Sequence, residues 1–349
     1  MKLPHYVLLG LVLGALMSWG TGLVSAEHVS LVTGSVHGPE RISPASSASI
    51  LFVGDVLLAR YVEKFIDEEG FSYPFALSAE LLSASPYVVG NFEASIPESH
   101  VPTRPMTFRF SVQESFAQLL ANNHFTHLFL ANNHAWDFGE EGYAHTHSAL
   151  ADAGLAVGGH PNRVSMDDVE IISMDGYRVA VVPIHAVFRD PAISEYRQVL
   201  GELASTTDMQ VAYVHWGEEY EPVHSRDQEA LAHALIDAGA DAIVGHHPHV
   251  VQDIDIYKDA PIFYSLGNFI FDQYWNDAVK SELAVRLVRK DGRNHFELIP
   301  LWSERANPTP LEGAAKEQFL LALARKSEPE LAEYAAMGTI PVPFASVAE

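Results

Sequence analysis

Three histidines fall within four positions in Gly245-His246-His247-Pro248-His249, directly after the apolar run Asp241–Val244. Clustered imidazoles repel one another when protonated, and nothing structural requires them to gather. A divalent cation resolves the conflict by taking neutral rings as ligands. His247 and His249 stand two residues apart, which in an extended segment points both to one side. Other hard or borderline donors sit in similar places. Asp55 follows Ile50–Val53 and Gly54, Glu93 follows Tyr87–Gly90, Asn133 and His134 follow Thr126–Ala131, and His215 follows Met209–Val214. Each has a plainer alternative: a helix N-cap for Asp55, a solvated surface for Glu93, a turn for Asn133 and a satisfied core ring for His215. Together they form a donor set of oxygen and imidazole suited to one or two ions of Mn, Fe or Zn.

Strands can bring such distant residues together, because ligands bind beyond the carboxyl ends of strands in open α/β sheets. Apolar runs with strand signals are predicted at those five places, and also at Arg178–Ile184 and Pro261–Ser265. Helical patterns lie between them at Gln113–Asn123, Glu141–Ala153 and Asp227–Ala238. Glu282–Arg289 and His295–Leu301 read as a hairpin around Lys290–Asn294. This alternation is that of the α/β class. Ser265-Leu266-Gly267-Asn268 is a further turn that either lines the pocket or only closes the chain.

Composition excludes several alternatives. The chain has no cysteine, which removes disulfide frameworks, thiolate metal sites and thiol catalysis. Its 45 acidic and 21 basic residues give a net charge of −24, so nucleic acid is not an expected partner. Walker A, GxGxxG and GxSxG motifs are absent. Lys2, the apolar run from Tyr6 to Trp19 and Val24-Ser25-Ala26 read as a secretory signal over residues 1–26, with an uncleaved anchor as the alternative. Residues 27–48 read as a linker, 49–303 as the main domain and 304–349 as a C-terminal helical extension. The expected location is therefore outside the cytoplasm.

The motifs GDVLLAR (Gly54–Arg60), GNFE (Gly90–Glu93), FRF (Phe108–Phe110), LANNHAWDFGEEG (Leu130–Gly142), HWGEEY (His215–Tyr220), GADAIVGHHPHVVQ (Gly239–Gln252) and YSLGNFIFDQ (Tyr264–Gln273) resemble the CapA/PgsA family. That family is linked to poly-γ-glutamate capsule synthesis and export, and its domain is similar to calcineurin-like metallophosphoesterases. The resemblance implies a four-layer α/β/β/α sandwich. It also implies metal ligation by Asp55, Glu93 (in place of the usual bridging carboxylate), Asn133, His215, His247 and His249, with His134 as the neighbouring catalytic histidine. The family pattern has a histidine two residues after the first aspartate, where this chain has Leu57. A full two-metal centre is thus one alternative beside a single ion.

Three readings follow. In the first, a metal-assisted hydrolase acts on an anionic polymer or phosphoester, with His134 as proton donor and Arg60 and Arg109 as anion clamps. In the second, an accessory protein binds poly-γ-glutamate or another envelope polymer without turnover, beside a membrane-bound capsule synthase complex. In the third, the metal is purely structural.

Overall fold

The computed structural model describes residues 49–104 and 107–344; the expected signal, the linker and the last five residues lie outside the described residues. Among the described residues the strands form two sheets. The first contains β1 (Ser49–Val56), β2 (Tyr87–Phe92), β3 (His127–Phe129) and β4 (Ala156–Gly158), all parallel. The second contains β5 (Glu170–Met174), β6 (Tyr177–His185), β7 (Met209–His215), β8 (Ala242–His246), β9 (Ile254–Tyr257) and β10 (Ala260–Phe263). Its centre, β6-β7-β8-β10, is parallel, with antiparallel strands at both edges. The first sheet is completed by β11 (Asn268–Ile270), β12 (Ser281–Lys290), β13 (Arg293–Glu304), β14 (Asn307–Pro310) and β15 (Thr339–Val342).

Strand alternation sorts side chains into three cores and so creates four layers. Along β1, Leu51 and Val53 face the helices α1 (Tyr61–Glu69), α2 (Ala79–Ser83), α3 (Ser115–Asn122) and α4 (Gly139–Asp152). Ile50 and Phe52 face the other sheet, where they join Phe129, Tyr213, Val244 and Phe296. On the far side of the second sheet, Ala212 and Val214 pack with Leu200 of α5 (Ile193–Leu203) and Leu235 of α6 (Arg226–Asp237). The order is helix, sheet, sheet, helix, the four-layer α/β/β/α sandwich implied by the motifs. Strands buried on both faces explain why the apolar runs lack clean alternation.

The segment beyond Ser303 is more than a helical extension. It carries α8 (Gly313–Lys326) and α9 (Ala332–Met337) after the short α7 (Asp277–Lys280), and it also supplies β14 and β15, which pair with β13. Leu320, Leu323, Leu331 and Ile340 fill the core between the sheets. The weak amphipathic pattern of this segment hides a β-strand docking that only tertiary contact defines. The hairpin β12–β13 is also tighter than expected: Lys290 pairs with Arg293, and Asp291 and Gly292 turn with φ of 52° and 77°. These are the positive angles of a two-residue Asp-Gly turn. No helix among the described residues is long and apolar enough to cross a membrane.

Candidate metal centre

The donors meet at the carboxyl ends of β1, β2, β3, β7 and β8. A bulge sets the position of Asp55. Phe52 pairs with Val89 and Asp55 with Asn91, so β1 has one residue more than β2 over this stretch. The extra residue turns the strand and re-aims the carboxylate. Gly54 permits it, since a Cβ there would lie 2.2 Å from the carbonyl oxygen of Gly267. His215 is the last residue of β7 and keeps the inner-face parity of Tyr213.

The Gly245–His249 segment departs from the extended geometry expected of it. His247 and His249 have φ of 97° and 58°, on either side of Pro248. The chain coils back, and the two rings approach to 5.8 Å between centroids by loop geometry rather than by strand alternation. Positive φ on non-glycine residues costs of order 1–3 kcal/mol each and persists where the surroundings enforce it. Here the His247 main-chain N–H donates to Asp55 Oδ2 at 3.2 Å, and His249 Nδ1 lies 3.0 Å from Asn268 Oδ1.

Two groups of donors result. Glu93, His215 and His247 bring ligand atoms within 4.8 Å of one another, and Asp55, Glu93 and His249 do the same. Glu93 is common to both. Asn133 adds its Oδ1 to the first group, 2.7 Å from His215 Nε2. All of these except Asn133 are buried. Both carboxylate oxygens of Glu93 and Nδ1 of His247 are buried without a hydrogen-bond partner. Such atoms are costly in an apolar interior unless a ligand satisfies them. Carboxylate, amide and imidazole are the donor types of a divalent transition-metal or zinc site, so the residues fit an ion. Leu57 is buried in the core facing the helices and takes no part. Even so, the second group retains three donors.

Electrostatics sharpen the same picture. Burial raises the pKa of Asp55, but hydrogen bonding and charge from His246 and His249 outweigh it and hold the carboxyl well below its ordinary range. Burial, then the nearby charge of Asp55, pushes Glu93 well above its ordinary value. Burial drives His215 well below its usual pKa and takes His247 down to about 3. The rings are therefore neutral at physiological pH, as ligation requires.

This has a measurable consequence for metal-stripped protein. Between pH 6.5 and about 3 the unfolded chain takes a proton on His247 that the folded chain refuses. The contribution of this ring is complete above pH 6.5 and is lost as the medium is acidified, by about 2 kcal/mol at pH 5. Glu93 acts in the opposite sense, because its raised pKa lowers stability as pH rises above the ordinary carboxylate value. Comparing wild type with His247→Asn isolates the histidine: denaturation midpoints should drop less steeply from pH 6.5 to 5 in the variant. Identical slopes would remove the buried-neutral assignment.

Other residues named from the sequence take different places. His134 Nδ1 is held 2.9 Å from Asp137 Oδ2, its ring stacks on Phe110 at 4.0 Å, and its Nε2 points inward, 3.9 Å from Glu93 Oε1. Arg60 pairs with Asp272 and lies 4.5 Å over the Phe110 ring. Its charge is thus shared with a carboxylate, and it buttresses the ring that supports His134. Arg109 is exposed; its Nε donates to the main-chain oxygen of Asp137 at 2.6 Å and its guanidinium covers Phe138 at 4.0 Å. Neither arginine belongs to the donor groups.

Three central residues went unassigned from the sequence. Asn91 lies between the groups: its Nδ2 donates to Asp55 Oδ1 at 2.8 Å and is 3.1 Å from His215 Nδ1. Asn132 donates to Asn91 Oδ1 and the Phe92 carbonyl, and accepts from the N–H groups of His134 and Ala135. It fixes the turn that presents Asn133 and His134. His246, fully buried, lies 3.4 Å from Asp55 Oδ1 with its ring against Tyr213. The strand-end position of GNFE carried a signal for Asn91; for Asn132 and His246 only their adjacency to proposed ligands did.

A four-layer α/β/β/α sandwich with carboxylate, amide and imidazole donors at the strand ends is a fold of the metallophosphoesterase type. More specifically, residues 49–273 match the family described as bacterial capsule synthesis protein PGA_cap, and the chain belongs to that family. It is 33% identical over 334 residues to a capsule biosynthesis protein CapA of Bacillus anthracis, covering 90% of this chain and 80% of that protein. It is 32% identical over 288 residues to a PGA biosynthesis protein CapA of Bacillus subtilis (strain 168), covering 77% and 75%. A probable polyglutamine synthesis accessory protein of Mycobacterium tuberculosis (strain ATCC 25618 / H37Rv) is 30% identical over 171 residues, covering 41% of this chain and 44% of that one.

Proposed function

We propose that this chain is an exported protein of poly-γ-glutamate capsule biosynthesis with a metal-dependent, hydrolase-like site at its strand ends. The observation that carries the reading is the partnerless carboxylate of Glu93, buried at the junction of two donor groups. Asp55, Glu93 and His249 would hold one ion; Glu93, Asn133, His215 and His247 would hold another. A divalent ion held there supplies Lewis acidity, polarising a carbonyl or phosphoryl oxygen and making water nucleophilic near neutral pH.

The remaining work falls to the chain itself. His134 is oriented by Asp137 and flattened by Phe110, so its Nε2 is fixed toward the centre, where it donates a proton to a leaving group. Asp137 is held in turn by the Phe110 N–H at 2.6 Å. His134→Asn is expected to lower the hydrolytic rate by roughly 10²–10⁴-fold while metal affinity stays within about threefold. Asp137→Asn keeps the ring but loosens it, with a smaller loss of about tenfold. A comparable fall in metal affinity in His134→Asn would recast that residue as a ligand. The reading as a whole is tested by incubating Mn- or Zn-loaded protein with phosphoesters and with γ-glutamyl polymer; absence of turnover on both rejects the enzyme.

Leu57 at the place of a family ligand, and the accessory role in the name of the mycobacterial relative, favour a second reading. In it the same centre binds polymer beside a membrane-bound synthase without turnover. Normal capsule production by His134→Asn, combined with failure of Glu93→Gln, would select this reading over catalysis. The expected signal over residues 1–26 would place the domain in the cell envelope in either case.

A further inference from the structure

Asn268 and Gln273 of the YSLGNFIFDQ segment and Tyr220 of HWGEEY take no part in the donor groups, yet a continuous line of hydrogen bonds joins them to His249. Asn268 Oδ1 lies 3.0 Å from His249 Nδ1. Asn268 Nδ2 donates to Gln273 Oε1 at 3.1 Å, and Gln273 Nε2 donates to the Tyr220 hydroxyl at 3.1 Å. Both amides are buried, while Tyr220 is 41% exposed. Its ring lies 6.1 Å from that of His249 and meets Trp275 edge to face at 5.6 Å. The line therefore runs from a proposed ligand to the surface.

A main-chain group sets its direction. Asn268 Nδ2 also reaches the Val279 carbonyl at 3.3 Å. A carbonyl only accepts, so this end of the amide is the NH2 and Oδ1 faces the imidazole. His249 Nδ1 meets a second acceptor as well, Asp55 Oδ2 at 3.3 Å. Two acceptors at one nitrogen require it to carry the proton. In the neutral ring that ligation needs, Nε2 is then bare, and it stands 3.8 Å from Glu93 Oε1. Two lone pairs facing one another across that gap suit a shared cation. The backbone holds the far end of the line. Tyr220 has a φ of 68°, a left-handed value uncommon for a bulky residue, and its N–H donates to the Pro248 carbonyl at 2.8 Å. The phenol is thus tied to the turn that carries His247 and His249.

We propose that Asn268, Gln273 and Tyr220 are positioning residues of the metal centre, a hydrogen-bond relay that locks His249 as its Nδ1-protonated tautomer and turns Nε2 toward Glu93 as the ligand atom. This rests on the metal reading above and adds to it how one ligand is oriented and tuned. The donors all point away from His249, so each bond polarises the next and makes the ring a stronger electron donor. The turn at Ser265–Asn268 accordingly serves the centre without lining it.

The experiment combines two readouts on the full chain: the ring nitrogen resonances of His249 in metal-stripped protein, and calorimetric titration with Mn. His249 should be protonated on Nδ1 alone. Asn268→Leu should weaken Mn binding by roughly 10–100-fold, as loss of a ligand's hydrogen-bond partner does. Gln273→Met, which keeps the volume and breaks the line, should weaken it by about tenfold. Gln273→Glu should instead strengthen it by about threefold, because a carboxylate accepts more strongly from Asn268. A purely structural role would weaken both Gln273 variants, and added charge alone would leave Gln273→Met unchanged. Tyr220→Phe, at the exposed end where folding is least at risk, should cost about threefold. A proton on His249 Nε2, or Gln273 variants that shift affinity in the same direction or not at all, overturns the relay and leaves the metal centre standing. Wild type that binds no Mn overturns both. Denaturation midpoints of the variants separate a lost contact from a lost fold.

Discussion

Glu93→Gln should weaken binding of Mn or Zn by roughly 100-fold or more while making the metal-stripped protein more stable. Both effects come from one fact: the carboxylate is shared by the two donor groups and neither of its oxygens has a hydrogen-bond partner. Losing an outer-shell partner of a metal ligand already costs roughly 10–100-fold in affinity, so losing a ligand common to both groups should cost more. Without metal, the same carboxylate is a buried acceptor with nothing to accept from, beside the negative charge of Asp55. Glutamine keeps the shape and removes the charge, which should stabilise the metal-stripped fold by about 1–3 kcal/mol near pH 8. Calorimetric titration with Mn and chemical denaturation after chelation measure the two halves. A destabilised variant with unchanged metal affinity would make Glu93 an ordinary structural residue.

Gly245→Ala should unfold or severely weaken the domain. A Cβ at this position would fall 2.0 Å from the Tyr264 carbonyl oxygen and 2.6 Å from Trp216 Nε1. Those two groups are themselves hydrogen-bonded at 2.8 Å, so neither is free to yield. Overpacking against fixed backbone costs about 3 kcal/mol or more. In a domain of roughly 300 residues that lowers the thermal midpoint by about 5 °C or more. Surviving protein should also bind metal poorly, because β8 leads directly into His247 and His249. Gly201→Ala is the control: it lies in α5 with no neighbour within 4 Å of the added carbon, and helix propensity alone should make it neutral or stabilising by up to about 1 kcal/mol. A Gly245→Ala midpoint within a degree or two of wild type would mean that β8 can shift without harm.

The sequence marked the donor side chains well because each sits where an apolar run stops, and a strand end is a place that chain pattern alone can mark. Asp55, Glu93, Asn133, His215, His247 and His249 converge as their types and positions implied. The means of convergence was less visible. The bulge in β1 and the positive φ of His247 and His249 depend on what the backbone packs against, namely the Gly267 and Tyr264 carbonyls. Arg60 and Arg109 looked like anion clamps because the sequence shows a charge and not its partner. Asp272 and Phe110 occupy the first, and Asp137 and Phe138 the second. Asn91 and His246 were hidden for the opposite reason: a buried polar residue beside a ligand looks the same in sequence whether it orients that ligand or fills space. The fold class followed from the order of strands and helices, but β15 did not, since four residues, Thr339–Val342, become a strand only by pairing with β13.

The account stands on a cation held between the strand ends, with Glu93 at its centre. Its most direct test is an anomalous difference map from crystals of the protein soaked in Mn. The expected result is density within bonding distance of Glu93, flanked by His215 and His247, by Asp55 and His249, or by both pairs. Saturating Mn with no peak at Glu93, or with peaks only on the acidic surface, would contradict it.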